Sequence, residues 1–429
     1  MNNTVNEVLE FIEENDVKFV RLAFCDIFGT LKNISVMASE LPKAFKYGIS
    51  FDASAVRGFM KIEDSDLFLV PDPATLSVLP WRPQQGRVVR FYCNIFYADG
   101  QPFAGDGRNI LRQAVTRVAS LGYSCRIGTE CEFYLFQLDE NGKCTKIPHD
   151  TAGYFDVAPY DKGENVRREI CLTLEEMGIQ PETSHHEQGP GQNEIDFKYG
   201  DALLAADNLV TFKNVVSTIA ARNGLWASFA PKPLPDHSGN GLHVNMSLAS
   251  KGINIFKQDK EQHSAAAKSF IAGILNRTAE ITAFLNPLVE SYQRLGVFEA
   301  PKYLTWSPKN RSQLIRIPAA SDLHARMELR SPDPCCNPYL AFTLLLDAGM
   351  EGIKKEMELC PPNNLDLYKA PPEVLKDIPQ LPGSLGEALE LAEKSEFIKY
   401  SLPKQTMRKY LDAKKNEWEL ACSKKLTEL

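Results

Sequence analysis

The stretch Gly128-Thr-Glu-Cys-Glu-Phe-Tyr-Leu-Phe136 carries two carboxylates, Glu130 and Glu132, at the start of a run of apolar residues. In a β-strand, residues two positions apart share a face. Two neighbouring carboxylates repel each other unless a cation lies between them, and carboxylate oxygens suit Mg²⁺ or Mn²⁺. The apolar run predicts an inner strand. From this pair alone, an exposed strand face with two solvated acids is the simpler interpretation.

Two further motifs supply the same kinds of ligand. His185-His-Glu-Gln-Gly-Pro-Gly-Gln-Asn-Glu194 places Glu187 and Glu194 on either side of a segment that is built to turn. Gly239-Asn-Gly-Leu-His-Val-Asn-Met-Ser247 places glycines, which let backbone approach a ligand closely, before a strand on which His243 and Asn245 share a face. Taken singly, a polar turn and an ordinary core histidine explain these motifs better. Together with the paired carboxylates they indicate a site for divalent cations.

A group of arginines among apolar neighbours forms the fourth set, comprising Arg294, Arg311, Arg316, Arg326 and Arg330. Arg326, Glu328 and Arg330 alternate with apolar residues, which predicts that they share one strand face. Because Arg binds phosphate and carboxylate through two parallel hydrogen bonds, this face favours recognition of phosphoryl groups and a carboxylate substrate. A salt-bridge ladder on an exposed strand is the structural alternative. The sequence has no P-loop and no G-x-G-x-x-G motif, so an ATP site would rely on metal-held polyphosphate and arginine.

The composition is that of a folded, mildly acidic protein of 429 residues, with 24% charged residues and a formal net charge of −7. This excludes a disordered chain or a disulfide miniprotein, and the lack of a basic footprint argues against nucleic acid as a partner. No apolar run approaches the roughly 18 residues of a membrane span. The ten scattered cysteines lack a C-x-x-C pair, which favours reduced thiols. The acidic start of the chain has no basic segment typical of a signal peptide, so a cytoplasmic location is expected.

Hydrophobic periodicity predicts a small β-rich domain over residues 1–103 and an α+β catalytic domain over residues 104–429. In the first domain, residues 17–36 predict two strands that turn at Gly29, and residues 68–70 and 87–97 predict further strands. In the second domain, strands and helices alternate. The predicted helices cover residues 109–121, 162–177, 207–223, 265–295 and 338–358, and the predicted strands cover residues 124–137, 192–197, 226–231 and 241–248.

Over nearly its whole length, from Phe51-Asp52 to Trp418, the chain resembles glutamine synthetases of the bacterial type I class, in their short, alpha-like subclass. The motifs that carry the resemblance are GTECEFYLF, HHEQGPGQNEIDFKYGDAL, ADNLVTFK, APKPLPDHSGNGLHVNMSL, the stretch from Tyr292 to Pro301, NRSQLIRIP and RMELRSPDPCCNPYLAF. The resemblance implies a small N-terminal β-grasp-like domain, followed by a catalytic domain with a curved antiparallel sheet backed by helices. It further implies ATP-dependent ligation of ammonia to the γ-carboxylate of L-glutamate through γ-glutamyl phosphate.

The resemblance also implies an assembly in which active sites form between neighbouring subunits of a six-membered ring. Two such rings would stack, but weakly, because the tail from Asn416 to Leu429 is shorter than usual. Two or three Mg²⁺ or Mn²⁺ ions would bind at each site. One would be held by Glu132, Glu187 and Glu194, and another by Glu130, His243 and Glu328.

The remaining roles implied by the resemblance concern substrates and phosphoryl transfer. Asp52 would bind ammonium and take its proton, and Glu299 would lie on a mobile flap that keeps water from the intermediate. Arg311 and Arg316 would stabilise the transferring phosphoryl group. Substrate contacts are implied for Tyr154, Glu187, Gly239, Arg294 and Arg330, and nucleotide contacts for Ser247, Arg316 and Arg326.

Several positions depart from the family pattern. Ala55, Ser238 and Asn245 replace a usual Ser, Asn and His, and the segment from Arg294 to Glu299 is one residue shorter. These changes leave open a γ-glutamyl ligase that uses an organic amine, or a catalytically weak regulatory homologue. Feedback inhibition through Lys61, which stands where an Arg is usual, stays undecided. Tyr368 resembles a tyrosine that some members adenylylate, although an ordinary loop tyrosine is the simpler interpretation.

Overall fold

The computed structural model describes residues 4–257, 263–320 and 324–427, with side chains described up to Ser423. The last two residues of the predicted tail, 428 and 429, lie outside this range. Among the described helices, none has the length and apolar character that crossing a lipid bilayer requires.

The N-terminal part is built on a sheet that has six strands within the described residues, in the order β2-β1-β6-β4-β3, with β5 also paired to β6. Its elements are α1 Val5–Glu14, β1 Val17–Cys25, β2 Leu31–Met37, α2 Leu41–Tyr47, β3 Ile49–Asp52, β4 Asp66–Pro71, β5 Ser77–Val78 and β6 Arg87–Phe96. Strand β1 pairs antiparallel with β2 and parallel with β6. The turn between β1 and β2 is fixed by Asp26, whose Oδ1 accepts hydrogen bonds from the backbone of Phe28 and Thr30 at 2.9 Å. Gly29 adopts φ +80° in this turn, a conformation that favours glycine.

The second part is organised around one long strand, β7, which pairs with β8, β10, β11, β12 and β13 in a sheet of eleven strands within the described residues. The strands are β7 Tyr123–Leu138, β8 Cys144–Pro148, β9 Pro181–His186, β10 Gln192–Phe197, β11 Gly200–Asp201, β12 Leu225–Ser228, β13 Leu242–Ser250, β14 Ile253–Asn254, β15 Trp306–Pro308, β16 Ile315–Ile317 and β17 Met327–Leu329. All pairings are antiparallel except β15 with β16. Because β7 alternates between its two faces, one face packs on the core while the other presents polar side chains.

The second part also contains ten helices within the described residues, some of which pack on the apolar face of this sheet. They are α3 Gly107–Ser120, α4 Glu164–Glu176, α5 Ala202–Arg222, α6 Ala265–Leu285, α7 Ser291–Arg294, α8 Pro338–Lys354, α9 Pro372–Leu375, α10 Leu385–Lys394, α11 Glu396–Ser401 and α12 Lys404–Thr427. Helices α6 and α8 pack with their backbones in contact. They approach so closely that a Cβ atom at Gly273 would overlap the carbonyl oxygen of Ala348. The predicted α+β architecture is confirmed.

A buried polar network joins the two parts. Arg108, at the start of α3, donates to both carboxylate oxygens of Asp207 at 2.9–3.1 Å and to Asp72 of the N-terminal part at 2.9 Å. The hydroxyl of Tyr339 donates to Asp207 Oδ1 at 2.7 Å. Buried charges of this kind are stable only when they are paired, so the network fixes how the two parts sit together.

Four predicted elements differ from the structure by three or more residues at one end, and one of them, the helix predicted over residues 207–223, begins at Ala202. The helix predicted over residues 265–295 ends at Leu285, because Asn286 precedes Pro287 and the residue before a proline avoids helical geometry. The helix predicted to residue 358 ends at Lys354, and the strand predicted over 226–231 ends at Ser228. Helix α1 was not predicted, although Thr4 and Glu7 form a capping box at its start.

Candidate active site

Strand register brings the predicted carboxylates and the histidine together from four strands. In β7 and β10, Glu132 lies opposite Glu194. In β7 and β13, Glu130 lies opposite His243, and Glu328 of β17 lies opposite Asn245 of β13. Antiparallel partners place Cβ atoms roughly 5 Å apart, so the register alone gathers these side chains on one face of the sheet.

Glu187 and Glu194 line a cavity together with Arg294, Arg311, Arg330, Glu299 and Tyr154. One ligand atom from each of Glu187, Glu194 and His185 lies within 4.8 Å of the others. His185 Nε2 is 3.2 Å from Glu194 Oε1. Glu132 lines the same cavity, and its Oε2 accepts hydrogen bonds from the backbone N–H of Gly241 at 2.8 Å and from Gln192 Nε2 at 3.0 Å. His185 and Gln192 were not predicted as site residues.

The second group contains Glu130 and His243, joined by a 3.1 Å contact between Glu130 Oε2 and His243 Nδ1. Glu194 completes a set of three ligand atoms within 4.8 Å of one another. Glu328 is fully buried, and its Oε1 is 3.5 Å from His243 Nδ1. The guanidinium groups of Arg316 and Arg330 contact the same carboxylate.

The electrostatics of this cavity favour bound cations. Burial, together with repulsion from Glu132 and Glu299, raises the pKa of Glu187 to about 8. Burial and the neighbouring carboxylates hold the pKa of Glu194 well above its usual range. Burial also acts on Glu130, but the hydrogen bonds and charge of His243 outweigh it and lower that pKa. Carboxylates that hold protons because they are buried beside one another can exchange those protons for a divalent cation, and oxygen ligands with an imidazole suit Mg²⁺ or Mn²⁺.

An arginine wall faces the carboxylates. Arg294 is buried, and its Nη1 donates to the carbonyl oxygen of Ser331 at 2.7 Å. Arg330 is only 2% exposed, and its Nη1 has no hydrogen-bond partner among the described residues. A buried cationic donor without a partner is costly, and in this cavity an anionic ligand would satisfy it.

A second, larger cavity of about 820 Å³ adjoins the first, and Glu130 lines both. The predicted nucleotide contacts Ser247 and Arg326 line it. Arg326 Nε donates to Asn245 Oδ1 at 2.8 Å, and Asn245 Nδ2 donates to Glu130 at 2.9 Å. The volume falls within the roughly 300–1,000 Å³ of typical small-molecule sites, so the cavity can hold a nucleotide. Tyr199 and Arg126, whose guanidinium lies 5.6 Å from the tyrosine ring centroid, also line it and were not predicted.

Comparison with known proteins gives the same result for both parts of the chain. Residues 16–98 match the family described as "Glutamine synthetase, beta-Grasp domain", and residues 104–428 match "Glutamine synthetase, catalytic domain". The chain belongs to the glutamine synthetase family. The predicted family and the predicted β-grasp-like fold are confirmed, whereas the type I subclass stays a prediction.

Similar proteins include a glutamine synthetase of Clostridium saccharobutylicum, which is 48% identical over 97% of this chain and 95% of the relative. The glutamine synthetase of Methanosarcina mazei is 45% identical over 97% and 94% of the two chains. Among solved structures, one titled "GmaS/ADP complex-Conformation 1" has a TM-score of 0.89 at 30% identity, covering 99% of this chain and 97% of that chain. A Plasmodium falciparum glutamine synthetase determined by cryo-EM has a TM-score of 0.87 at 26% identity, covering 98% and 97%.

A third set, of two acids and a histidine, stabilises a loop and a hairpin of the site. Asp150, Asp161 and His186 place ligand atoms within 4.8 Å of one another, but these atoms are engaged in other contacts. Asp150 Oδ1 contacts His186 Nε2 at 2.9 Å and accepts from the backbone of Gly191 at 2.9 Å, and Asp161 pairs with Arg167. These contacts hold the loop that carries Tyr154 against the hairpin that carries Glu187. The set is therefore structural.

The structure does not bring Asp52 into either cavity. Its side chain is exposed at the end of β3, and its Oδ1 accepts hydrogen bonds from the backbone and hydroxyl of Ser54. Among the described residues, those that line the two cavities belong to the catalytic part. Ala55 and Lys61 are exposed near Asp52. Tyr154, by contrast, lines the carboxylate cavity while remaining 49% exposed, with its ring 5.7 Å from that of His185.

Proposed function

We propose that this chain is a glutamate–ammonia ligase, which converts L-glutamate, ammonia and ATP into glutamine, ADP and phosphate through γ-glutamyl phosphate. The observation that carries the proposal is that Glu130 lines both cavities, so that a candidate cation ligand lies where the cavity proposed for the nucleotide meets the arginine-lined cavity proposed for glutamate. Relatives named glutamine synthetase over 97% of the chain support the same reaction.

In the first half-reaction, the γ-carboxylate of glutamate attacks the γ-phosphorus of ATP, and the bond to ADP breaks. Arg294, Arg330 and the backbone of Gly239 would hold glutamate, since they line the cavity that contains the carboxylate groups. Ser247 and Arg326 would hold the nucleotide. Arg311 and Arg316 would stabilise the charge of the transferring phosphoryl group.

Two or three Mg²⁺ or Mn²⁺ ions would supply charge neutralisation between the phosphates and the attacking carboxylate. Glu132, Glu187 and Glu194 would hold the ion nearer glutamate, with His185 beside Glu194 as a further candidate ligand. Glu130, His243 and Glu328 would hold the ion nearer ATP, because His243 Nδ1 lies 3.1 Å and 3.5 Å from the two carboxylates.

In the second half-reaction, ammonia attacks the acyl carbon and phosphate leaves. Asp52 would accept the proton from ammonium, with Tyr154 and Glu187 completing that cation site, and Glu299 would close the flap. Because Asp52 is exposed and outside both cavities in its own chain, the proposal requires the N-terminal part of a second copy to complete the site. A ring of six subunits, weakly stacked in pairs, and a cytoplasmic location are part of the same proposal.

Phosphate and glutamine formation should be measured together, with ATP, Mg²⁺ and L-glutamate, and with either ammonium or an organic amine. Ammonium-dependent phosphate release that is matched by glutamine would support the proposal. Ser238, which lines the carboxylate cavity, and the exposed Ala55 motivate the amine arm, and release only with an amine would instead identify a γ-glutamyl-amine ligase. No release under any condition would contradict both and favour a regulatory homologue.

A further inference from the structure

The hydroxyl of Tyr368 contacts two loops that carry residues proposed to act in the reaction. It donates to the carbonyl oxygen of Glu299 at 2.6 Å, and it lies 3.2 Å from the carbonyl oxygen of Arg311. Glu299 belongs to the flap, residues 295–300, and Arg311 lines the carboxylate cavity. A single phenol oxygen therefore links the flap to the loop that carries Arg311.

Several hydrogen bonds fix the position of the loop that carries Tyr368. The preceding loop is tied to the Arg311 loop, since Asn310 Nδ2 and Gln313 Nε2 donate to the carbonyl oxygen of Leu365 at 2.9 and 3.0 Å. The backbone N–H of Leu367 donates to Ser312 Oγ at 3.1 Å. The backbone next to Tyr368 is thus attached to the Arg311 loop.

The flap contains turns but no helix or strand. Phe298 adopts φ +52°, a strained conformation for a residue with a side chain, and it is 47% exposed. Two backbone hydrogen bonds of 3.2 Å, joining Gly296 to Ala300 and Ala300 to Val297, close the flap on itself. Lys232 Nζ lies 4.2 Å from the Phe298 ring centroid. Because strain persists only where surrounding contacts hold it, the position of the flap depends on outside contacts such as Tyr368.

We infer that Tyr368 is a positioning residue whose hydroxyl holds the flap, and with it Glu299, closed against the Arg311 loop. The inference rests on the proposed function. When ammonia attacks the acyl carbon of γ-glutamyl phosphate, a C–N bond forms, phosphate leaves and a proton passes to a carboxylate. When water attacks the same carbon, a C–O bond forms and phosphate leaves, which returns glutamate and wastes one ATP. A flap released from Tyr368 admits water and shifts this competition toward hydrolysis.

The test compares wild type with Tyr368→Phe, which removes only the hydroxyl. At limiting ammonium we expect the ratio of phosphate to glutamine to rise roughly twofold or more, with little change in the KM for ATP. Hydrogen exchange of the amides of residues 295–300 should also be faster in the variant. The matched control is Tyr400→Phe, because Tyr400 is 73% exposed and lines a cavity apart from the active site.

Wild-type ratio and wild-type exchange in Tyr368→Phe would overturn the inference. Tyr368→Leu serves as a second variant. Hydrogen exchange of its flap amides tests the tether independently of activity. If wild type itself makes no glutamine, the proposed function fails, whereas the exchange measurement still tests the tether.

Discussion

At the residue scale, the site is a cluster of carboxylates that lie close enough to repel one another. Glu187, Glu132 and Glu299 share one cavity, and their repulsion together with burial raises the pKa of Glu187 to about 8. This arrangement is unfavourable for the empty protein and favourable for one that binds divalent cations. Through these carboxylates, both the metal affinity and the stability of the protein should depend on pH.

Cation binding should therefore release protons near neutral pH. Between pH 4.5 and about 8, the metal-free folded chain holds a proton at Glu187 that the unfolded chain has lost, so its stability falls as the pH rises through this window. We expect Mg²⁺ to bind more tightly, and to raise Tm more, at about pH 8 than at about pH 6. Calorimetry in buffers of different ionisation enthalpy measures the released protons. Proton release by Glu187→Gln equal to that of wild type would contradict this assignment.

Gln192 should tune metal affinity through Glu132. Its side chain is fully buried, and its Nε2 donates to Glu132 at 3.0 Å and to the carbonyl oxygen of Gly239 at 3.2 Å. Gln192→Met keeps the volume but removes one of the two hydrogen bonds that orient Glu132, so Mg²⁺ affinity should weaken by roughly 10–100-fold. Isothermal titration calorimetry of the variant with Mg²⁺ measures the affinity. Gln137→Met is the control, because Gln137 is exposed. Unchanged Mg²⁺ affinity would show that Glu132 is oriented by other contacts.

At the scale of elements, the site depends on the register of β7 with β10 and β13, and on the helices that hold the sheet. Helices α6 and α8 cross at Gly273 and Gly352, where the absence of side chains lets the two backbones touch. A side chain at this crossing would force the helices apart and disturb the sheet that they support.

Gly273→Ala should therefore destabilise the protein by about 1–3 kcal/mol, because the added methyl group meets the backbone of α8. Thermal unfolding of the metal-free protein measures the change. Gly383→Ala is the control, since its nearest neighbours lie at ordinary contact distance, 3.5 Å or more. Equal Tm values for the two variants would mean that the α6–α8 contact can relax.

The sequence predicts β7, β10 and β13 well because each strand directly follows a glycine that marks a turn, and their motifs identify the carboxylates and His243. Other features depend on tertiary contacts. Hydrophobic periodicity extends the predicted helix through residues 286–295, because only Asn286 before Pro287 marks the end of α6. Gln192 and Tyr368 were not predicted to position other residues, since an amide and a phenol carry no signal until their partners are known.

At the scale of the whole molecule, Asp52 and the carboxylate cavity belong to different parts of the chain, and the rigid junction around Arg108 keeps them apart. If the site forms between copies, its two halves can be supplied by different subunits. Closed symmetric assemblies give every subunit the same neighbours, so each site would be completed in the same way.

Mixing two inactive variants tests this arrangement. Asp52→Ala and Glu132→Ala should each abolish glutamine formation, whereas oligomers assembled from an equal mixture should regain activity at roughly a quarter of the sites. Each variant dissociated and reassembled alone is the control. Mixed oligomers that remain inactive would contradict a site shared between copies.

The central claim, ATP-dependent ligation through γ-glutamyl phosphate, is tested most directly with L-glutamate labelled with oxygen-18 in its γ-carboxylate. In the proposed reaction this carboxylate attacks ATP, so one labelled oxygen should appear in each phosphate released with each glutamine. Unlabelled phosphate, or phosphate release that does not depend on glutamate, would contradict the account.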